Sequence, residues 1–412
     1  MAWGDIVVGL DIGTTKVAVL VGKVDPDGML NIIGIGTSPS KGLRKGVVVD
    51  IDSTVKSIRE AVDKAQRMAG IEIRSVYMGV TGGHISSLSN RGVVAVARED
   101  REITAEDVAR VLEAARVIGV PPDREIIHVL PREFIVDGYD GIRDPVGMVG
   151  IRLEVEAQII TGSMTSLQNL LRSVEKAGLE VDDVVLNPLA SGEAVLLPAE
   201  RDLGVVVADI GGGTVDVAAF YEGSLCYASV IPVGGEFITS DIAVGLRTPL
   251  ATAEEIKLEH GCALSDLARD DLFFKVGSVG GQESREVSQK ILAGIIEPRV
   301  QEILEMVGRE IEASGYEKMI PGGVVLTGGS SALKGLGELA SRQFGFPVRV
   351  GTPADAGGLG DMASSGSFAT SLGILRYAAR DIVSGRTGQD GTISGMVGSI
   401  LKYVRNWFRD LF

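Results

Sequence analysis

Cysteine, histidine and aromatic side chains are all scarce in this 412-residue chain, and each shortage removes a class of chemistry. The two cysteines, Cys226 and Cys262, lie in unrelated segments with no CxxC or zinc-type spacing, so both are expected to be reduced packing residues. His84, His128 and His260 are scattered and read as structural or surface residues. Aromatics make up 5% of the chain against 45% hydrophobic residues, which suits an aliphatic α/β core of two lobes or more. Positive charge is also in deficit: the net charge of −15 argues against a nucleic-acid groove as the main business, and no nucleic-acid partner is expected. No stretch reaches the length of a transmembrane helix. The segment Met1–Asp5 enters the first strand without a basic n-region or an apolar h-region, so no signal peptide is expected.

Against these absences stands one phrase that occurs twice. Leu10-Asp-Ile-Gly-Thr-Thr-Lys-Val-Ala-Val19 returns as Ala208-Asp-Ile-Gly-Gly-Gly-Thr-Val-Asp-Val217. Each copy reads as a buried apolar strand, a tight Gly/Thr turn and a second apolar strand, hence a β-hairpin. Gly13, Gly211, Gly212 and Gly213 let backbone N–H groups approach phosphate oxygens, and Thr14, Thr15, Lys16 and Thr214 add side-chain donors. Asp11 and Asp209 end apolar runs, where an unpaired carboxylate is costly to bury, so Mg²⁺ held partly through water is the natural partner. An Asp-Gly hairpin alone is common. Two matched copies about 200 residues apart, one per domain of ordinary size, point instead to a nucleotide clamp.

Residues 5–82 alternate strands (6–12, 17–24, 30–37, 46–50, 75–80) with a helix over 53–68. From Gly82 the pattern changes. Strands near 93–97, 125–129, 132–136 and 149–158 and a helix from Thr104 to Ile118, with Thr104 as N-cap and Gly119 as stop, read as an inserted subdomain. Its charges form a solvated run at Arg98–Glu102 without a convergent cluster, which suits an interaction surface. A helix at 165–177 and a strand at 183–187 follow, then a small-residue crossing at 188–194. Residues 230–307 are mostly helical. There Thr252 is expected to cap a helix that Gly261 ends, placing Glu254 and Lys257 one turn apart. That pair is either an exposed ion pair or a grip on ribose and base. Val324–Ala332 is a third glycine turn, before a helix from Leu333, and two successive glycines there suggest a flat ligand against the backbone. Phe368–Arg376 is a second small-residue helix able to cross the one at 188–197, so that the lobes can rock.

The C-terminal residues carry a different signal. Val397, Ile400, Leu401, Val404, Trp407, Phe408 and Leu411 fall on one helical face, with Phe412 after them, and Lys402, Arg405, Asn406 and Arg409 on the other. This is too short to span a bilayer and reads as a helix lying among anionic headgroups, tethered by a Gly/Ser/Thr leash at 384–395. Each basic contact with anionic lipid contributes about 1 kcal/mol, which one tail offsets by the ordering of its backbone, so many tails joined by self-association would hold far longer.

Taken in order, the two hairpins, the two crossings and the Leu326-Thr-Gly-Gly-Ser330 loop resemble the actin-like ATPase superfamily, whose fold is α/β, two-lobed, with duplicated ribonuclease H-like lobes. Within it, Asp11–Lys16, the insertion at 83–162, Gly234–Leu246, Thr248-Pro249 and Ala253–Lys257 resemble the FtsA family of bacterial division proteins. The resemblance implies ATP held by Asp11, Gly13 to Lys16, Asp209 and Gly211 to Thr214, with Gly234, Gly235, Glu254, Lys257, Gly328, Gly329 and Ser330 around the adenosine. It implies subdomain 1A at 1–82, 163–196 and 368–383, 1C at 83–162, 2A at 197–229 and 308–367, and 2B at 230–307. It further implies a peripheral protein on the inner face of the cell membrane at the division septum. There it would self-associate, dock the FtsZ C-terminal tail on 2B and recruit downstream division proteins through 1C. Asn187 stands where actin and the DnaK-type chaperones carry Glu or Gln to order water, so hydrolysis is expected to be slow and no catalytic residue is assigned. A small-metabolite kinase would need a catalytic carboxylate beside a polar substrate cleft, and a pilus-assembly adaptor of the PilM kind would not need the lipid-facing helix.

Overall fold

The computed structural model describes residues 5–25, 28–277, 285–354 and 356–383. The leash at 384–395 and the helix at 396–412, with every lipid-facing residue assigned to it, lie outside the described residues. The chain opens with an antiparallel meander of β1 (Asp5–Ile12), β2 (Lys16–Val24) and β3 (Leu30–Pro39). The strand expected at 46–50 is instead a miniature hairpin of β4 (Leu43–Arg44) and β5 (Val47–Val48). Asp50 leaves the strand because its carboxylate caps α1 (Ile51–Ala69), accepting from the N–H groups of Asp52 and Ser53. β6 (Ser75–Val80) returns parallel to β1.

The insertion follows: β7 (Ser86–Ala95), α2 (Ala105–Arg116), β8 (Arg124–Val136), β9 (Tyr139–Ile142) and β10 (Arg152–Ser163). Its sheet runs β7-β10-β8-β9, with α2 against it around Val108, Val111, Leu112 and Phe134. Thr104 and Asp107 form the reciprocal capping box at the start of α2, but the helix ends at Val117 and not at Gly119. The two strands expected at 125–129 and 132–136 are one. Pro131 is tolerated because the register slips there, with Ala157 opposite Pro131 and Glu156 opposite Glu133.

After the insertion come α3 (Met164–Ala177), β11 (Glu180–Leu186) and α4 (Asn187–Val195). Asn187 therefore opens a helix and does not end a strand. The second half holds α5 (Pro198–Leu203), β12 (Val205–Ile210), β13 (Val215–Tyr221), β14 (Ser224–Ile231), α6 (Gly235–Leu246) and α7 (Leu250–His260). The hairpin β15 (Phe273–Val276) and β16 (Arg285–Ser288) leads to the long α8 (Gln289–Ser314). β17 (Val324–Thr327), α9 (Leu336–Phe344), β18 (Val348–Val350), β19 (Gly357–Gly358) and α10 (Ala369–Val383) complete the described chain.

The two main sheets are copies of one plan. One runs β11-β6-β1-β2-β3-β19 and the other β14-β13-β12-β17-β18, so each places an antiparallel meander beside two parallel strands. α10 crosses α4 between them, and the contact is close enough that a Cβ at Gly373 would lie 1.7 Å from the Ala190 carbonyl oxygen. Among the described residues no helix is long and apolar enough to cross a membrane.

Candidate functional site

Each repeated phrase folds as a strand–turn–strand unit closed by the same bond. Gly13 N–H donates to the Lys16 carbonyl at 3.0 Å, and Gly211 N–H to that of Thr214 at 2.9 Å. The two turns meet tip to tip. A Cβ at Gly212 would lie 2.3 Å from Thr15 Cγ2, and one at Gly213 2.5 Å from Thr14 Oγ1, so only glycine lets the second turn approach the first. Thr14 Oγ1 also accepts from Gly46 N–H at 3.2 Å, which fixes the first turn to the β4–β5 hairpin.

The two acids are buried behind these turns, each held by hydroxyls from a crossing helix. Ser371 of α10 donates to Asp11 Oδ2 at 3.1 Å. Ser191 of α4 and Thr370 of α10 donate to Asp209 Oδ2 at 2.5 and 2.9 Å. Burial pushes the Asp11 carboxyl up to about 6, against the pull of Lys16, and pushes Asp209 up as well. Burial draws the Lys16 ammonium down, although both acids oppose it. Its Nζ donates to the Ser367 carbonyl at 2.6 Å and stacks 3.7 Å from the centre of the Phe368 ring. The site thus holds two poorly solvated carboxyls and a cation parked on a neighbouring turn. Among the described residues no group of three or more His, Cys, Asp or Glu side chains could hold a metal ion. Two carboxylates whose hydrogen bonds fall on Oδ2 fit Mg²⁺ held largely by water and phosphate, not an ion caged by protein.

The second-lobe residues assigned to the adenosine also converge. Lys257 Nζ donates to the Gly235 carbonyl at 3.2 Å and lies 2.7 Å from the Glu254 carboxylate, while Ser330 Oγ donates to the Gly211 carbonyl at 3.3 Å. Gly234 and Gly235 join this group through Gly235 N–H, which donates to the Gly211 carbonyl at 2.9 Å. Gly328 adopts φ +89°, and a Cβ there would lie 2.3 Å from Asp209 Oδ1. Gly329 opens the 3₁₀ turn Gly329–Ala332, which delays α9 to Leu336 from the expected Leu333. Thr252 does not cap α7. The helix begins at Leu250 after Pro249, whose fixed φ starts it without a side-chain cap, so Thr252 lies within it.

Several groups at the site are not expected from the sequence. Asp216 stands in register with Asp209, where the first hairpin has Ala18 opposite Asp11. It accepts from Thr81 Oγ1 at 2.5 Å, and burial together with Asp209 holds its carboxyl well above the ordinary carboxylate range. Its signal was the one difference between the two phrases at that position. Ser191, Thr370 and Ser371 read as small packing residues. They are also the donors that hold the acids. Asn187 is buried, with Oδ1 unpartnered and facing Gly79, where a Cβ would lie 2.5 Å away.

Duplicated sheets, matched glycine turns that meet tip to tip and two crossing helices define an actin-like ATPase fold. Solved structures of the same shape include the PilM–PilN type IV pilus biogenesis complex (TM-score 0.64, 18% identity, 90% of this chain and 98% of that one). MreB 5 of Spiroplasma citri bound to AMPPNP is another (TM-score 0.57, 13% identity, 92% and 98%). Residues 206–373 match the family described as "Cell division protein FtsA", and residues 82–161 the "SHS2 domain inserted in FTSA". Cell division proteins FtsA of Pseudomonas aeruginosa and Escherichia coli K12 are 44% and 41% identical, each over 99% of this chain and over 99% and 98% of their own lengths. That of Bacillus subtilis is 47% identical over 92% of this chain and 84% of its own. The chain belongs to the FtsA family of cell division proteins.

Proposed function

We propose that this chain binds ATP with Mg²⁺ between its two hairpins and works as a polymerising tether, anchoring FtsZ filaments to the inner face of the cytoplasmic membrane. The observation that carries the reading is the tip-to-tip meeting of Thr14-Thr15 with Gly212-Gly213 in front of two buried acids. Backbone N–H groups of both turns would hold the phosphates, Lys16 would leave Ser367 for them, and Asp11 and Asp209 would hold the hydrated metal. Magnesium would neutralise phosphate charge when bound. Gly234, Gly235, Glu254, Lys257 and Gly328 to Ser330 would border the adenosine. Asn187 carries its amide on a stem one methylene shorter than Gln and cannot ionise as Glu does, so it would order an attacking water less well and turnover would be slow.

The tether half of the reading is supported by exposed apolar residues and by the terminal periodicity. Val244, Leu250, Leu258 and Ile291 lie exposed on α6, α7 and α8, a surface for the FtsZ tail. Tyr139, Met148, Val149 and Ile151 lie exposed on the insertion, a surface for further division proteins or a second copy. Seven apolar residues at helical spacing opposite Lys402, Arg405 and Arg409 suit anionic lipid. Trp407→Glu is expected to release the protein from vesicles of phosphatidylglycerol in a sedimentation assay while leaving ATP uptake intact. Pelleting equal to wild type would remove the anchor.

A further inference from the structure

The insertion is joined to the first lobe by two neighbouring connections, and one of them touches the second lobe at a buried bond. Thr81 follows β6 directly and precedes Gly82, whose φ of +134° turns the chain out of the sheet. Its hydroxyl donates to Asp216 Oδ1 at 2.5 Å, and both side chains are buried. Asp216 lies on β13, two residues beyond the second phosphate-type turn. The first turn reaches the same place from the other side. Thr14 Oγ1 accepts from Gly46 N–H, and a Cβ at Gly46 would lie 3.0 Å from Gly82 Cα.

The other end of this stem is locked to the insertion. Arg124 of β8 donates to the His84 carbonyl at 2.8 Å, to the Thr161 carbonyl at 3.0 Å and to Ser86 Oγ at 2.5 Å, spanning both connecting strands. Ser163 N–H donates to His84 Nδ1 at 3.3 Å. Just beyond, Ser87 Oγ accepts from Ala228 N–H of β14 at 3.2 Å, and Ser224 Oγ donates to the Arg132 carbonyl at 3.3 Å. A rotation of the second lobe that shifts β13 must either break the Thr81 bond or carry the stem with it. The buried acceptor left behind makes breaking the costlier course.

We propose that the Thr81–Asp216 hydrogen bond is the contact through which occupancy of the cleft sets the orientation of the inserted subdomain. The surface that the subdomain carries then differs between the empty and loaded protein. This rests on the nucleotide reading above. A ligand drawn between the turns moves Gly212-Gly213 and Asp216 as one unit, because they share a single hairpin. Thr81 follows, and the Arg124 clamp passes the movement to both strands of the stem.

The test is hydrogen–deuterium exchange on the full chain with and without ATP and Mg²⁺, beside calorimetry of ATP uptake. In wild type, ATP is expected to slow exchange about threefold or more at 82–88 and 161–163 as well as at the two turns. Thr81→Val should take up ATP within about threefold of wild type and keep protection at the turns, yet lose the response in the stem. Thr81→Ser should restore it, and Arg124→Ala, whose hydrogen bonds lie within the insertion, should lose it too. A full stem response in either Thr81→Val or Arg124→Ala, or none in a wild type that binds ATP, overturns the coupling. Loss of ATP uptake in a folded Thr81→Val does so as well, because Thr81 would then belong to the binding machinery. Should Thr81→Val not fold, Arg124→Ala decides. Absence of ATP uptake by wild type would remove the nucleotide reading itself, and calorimetry shows that separately.

Discussion

Asp11 carries a stability cost as an unliganded residue. Its carboxyl is held near 6 in the folded chain against an ordinary value of 3.8, chiefly by burial, so the folded state binds its proton more tightly than the unfolded state does. Stability therefore falls as pH rises from about 4 to about 6 and stays reduced above that, by roughly 3 kcal/mol for this group. Asp11→Asn is expected to be more stable than wild type by a similar amount, about 2–3 kcal/mol, in urea unfolding at pH 7 without nucleotide. The gap should close as pH drops below about 4, and an Asn variant no more stable than wild type at pH 7 would contradict this. At this scale much of the cleft was legible. Asp11, Asp209, Lys16 and the glycines stand out because a charge or a run of Gly inside an apolar stretch has no packing explanation. Asp216 is marked in the sequence only by replacing the Ala18 of the first phrase, because Val-Asp-Val otherwise reads as ordinary strand alternation with the acid facing water. Only its register with Asp209 turns it inward.

The crossing of α4 and α10 shows what single elements contribute. Glu193 of α4 is bound by Arg201 at 2.8 Å and by Arg380 of α10 at 2.6 Å. These guanidinium groups overcome the effect of burial and hold its carboxyl down to about 2. A depressed acid stabilises above its unfolded pKa and loses that contribution as pH falls through the folded one, here from about 4.5 towards 2. Glu193→Gln removes the charge that Arg201 and Arg380 share, and a loss of about 3 kcal/mol in urea unfolding at pH 7 is expected, shrinking below pH 4. Element types were largely readable from periodicity, and the errors have local causes. Pro131 suggests a break between two strands, yet a bulge accommodates the proline within one, and Thr252 suggests a cap where Pro249 already starts the helix. Asp50 continues the apolar pattern of a strand, but its carboxylate is taken by α1.

At the scale of the whole molecule, two copies of one sheet plan stand beside a pair of crossing helices, and the repeated phrase is the visible trace of that duplication. The insertion was legible as a break in pattern, because its strands and helix form a sheet and core of their own. Its contacts with the second lobe were not, since Ser87–Ala228 and Thr81–Asp216 join residues 141 and 135 positions apart and depend on how the lobes sit. The same holds for Thr370 and Ser371, which reach Asp209 and Asp11 from 161 and 360 positions away, whereas Ser191 lies only 18 positions before Asp209.

The central claim is that ATP and Mg²⁺ enter between the two turns, and titration calorimetry on the full chain tests it most directly. Saturable uptake at a single site is expected with Mg²⁺ present, weakened at least tenfold by chelation of the metal or by Asp209→Asn, about 1.4 kcal/mol or more. No heat of binding in wild type, or uptake that Asp209→Asn leaves unchanged, would contradict it.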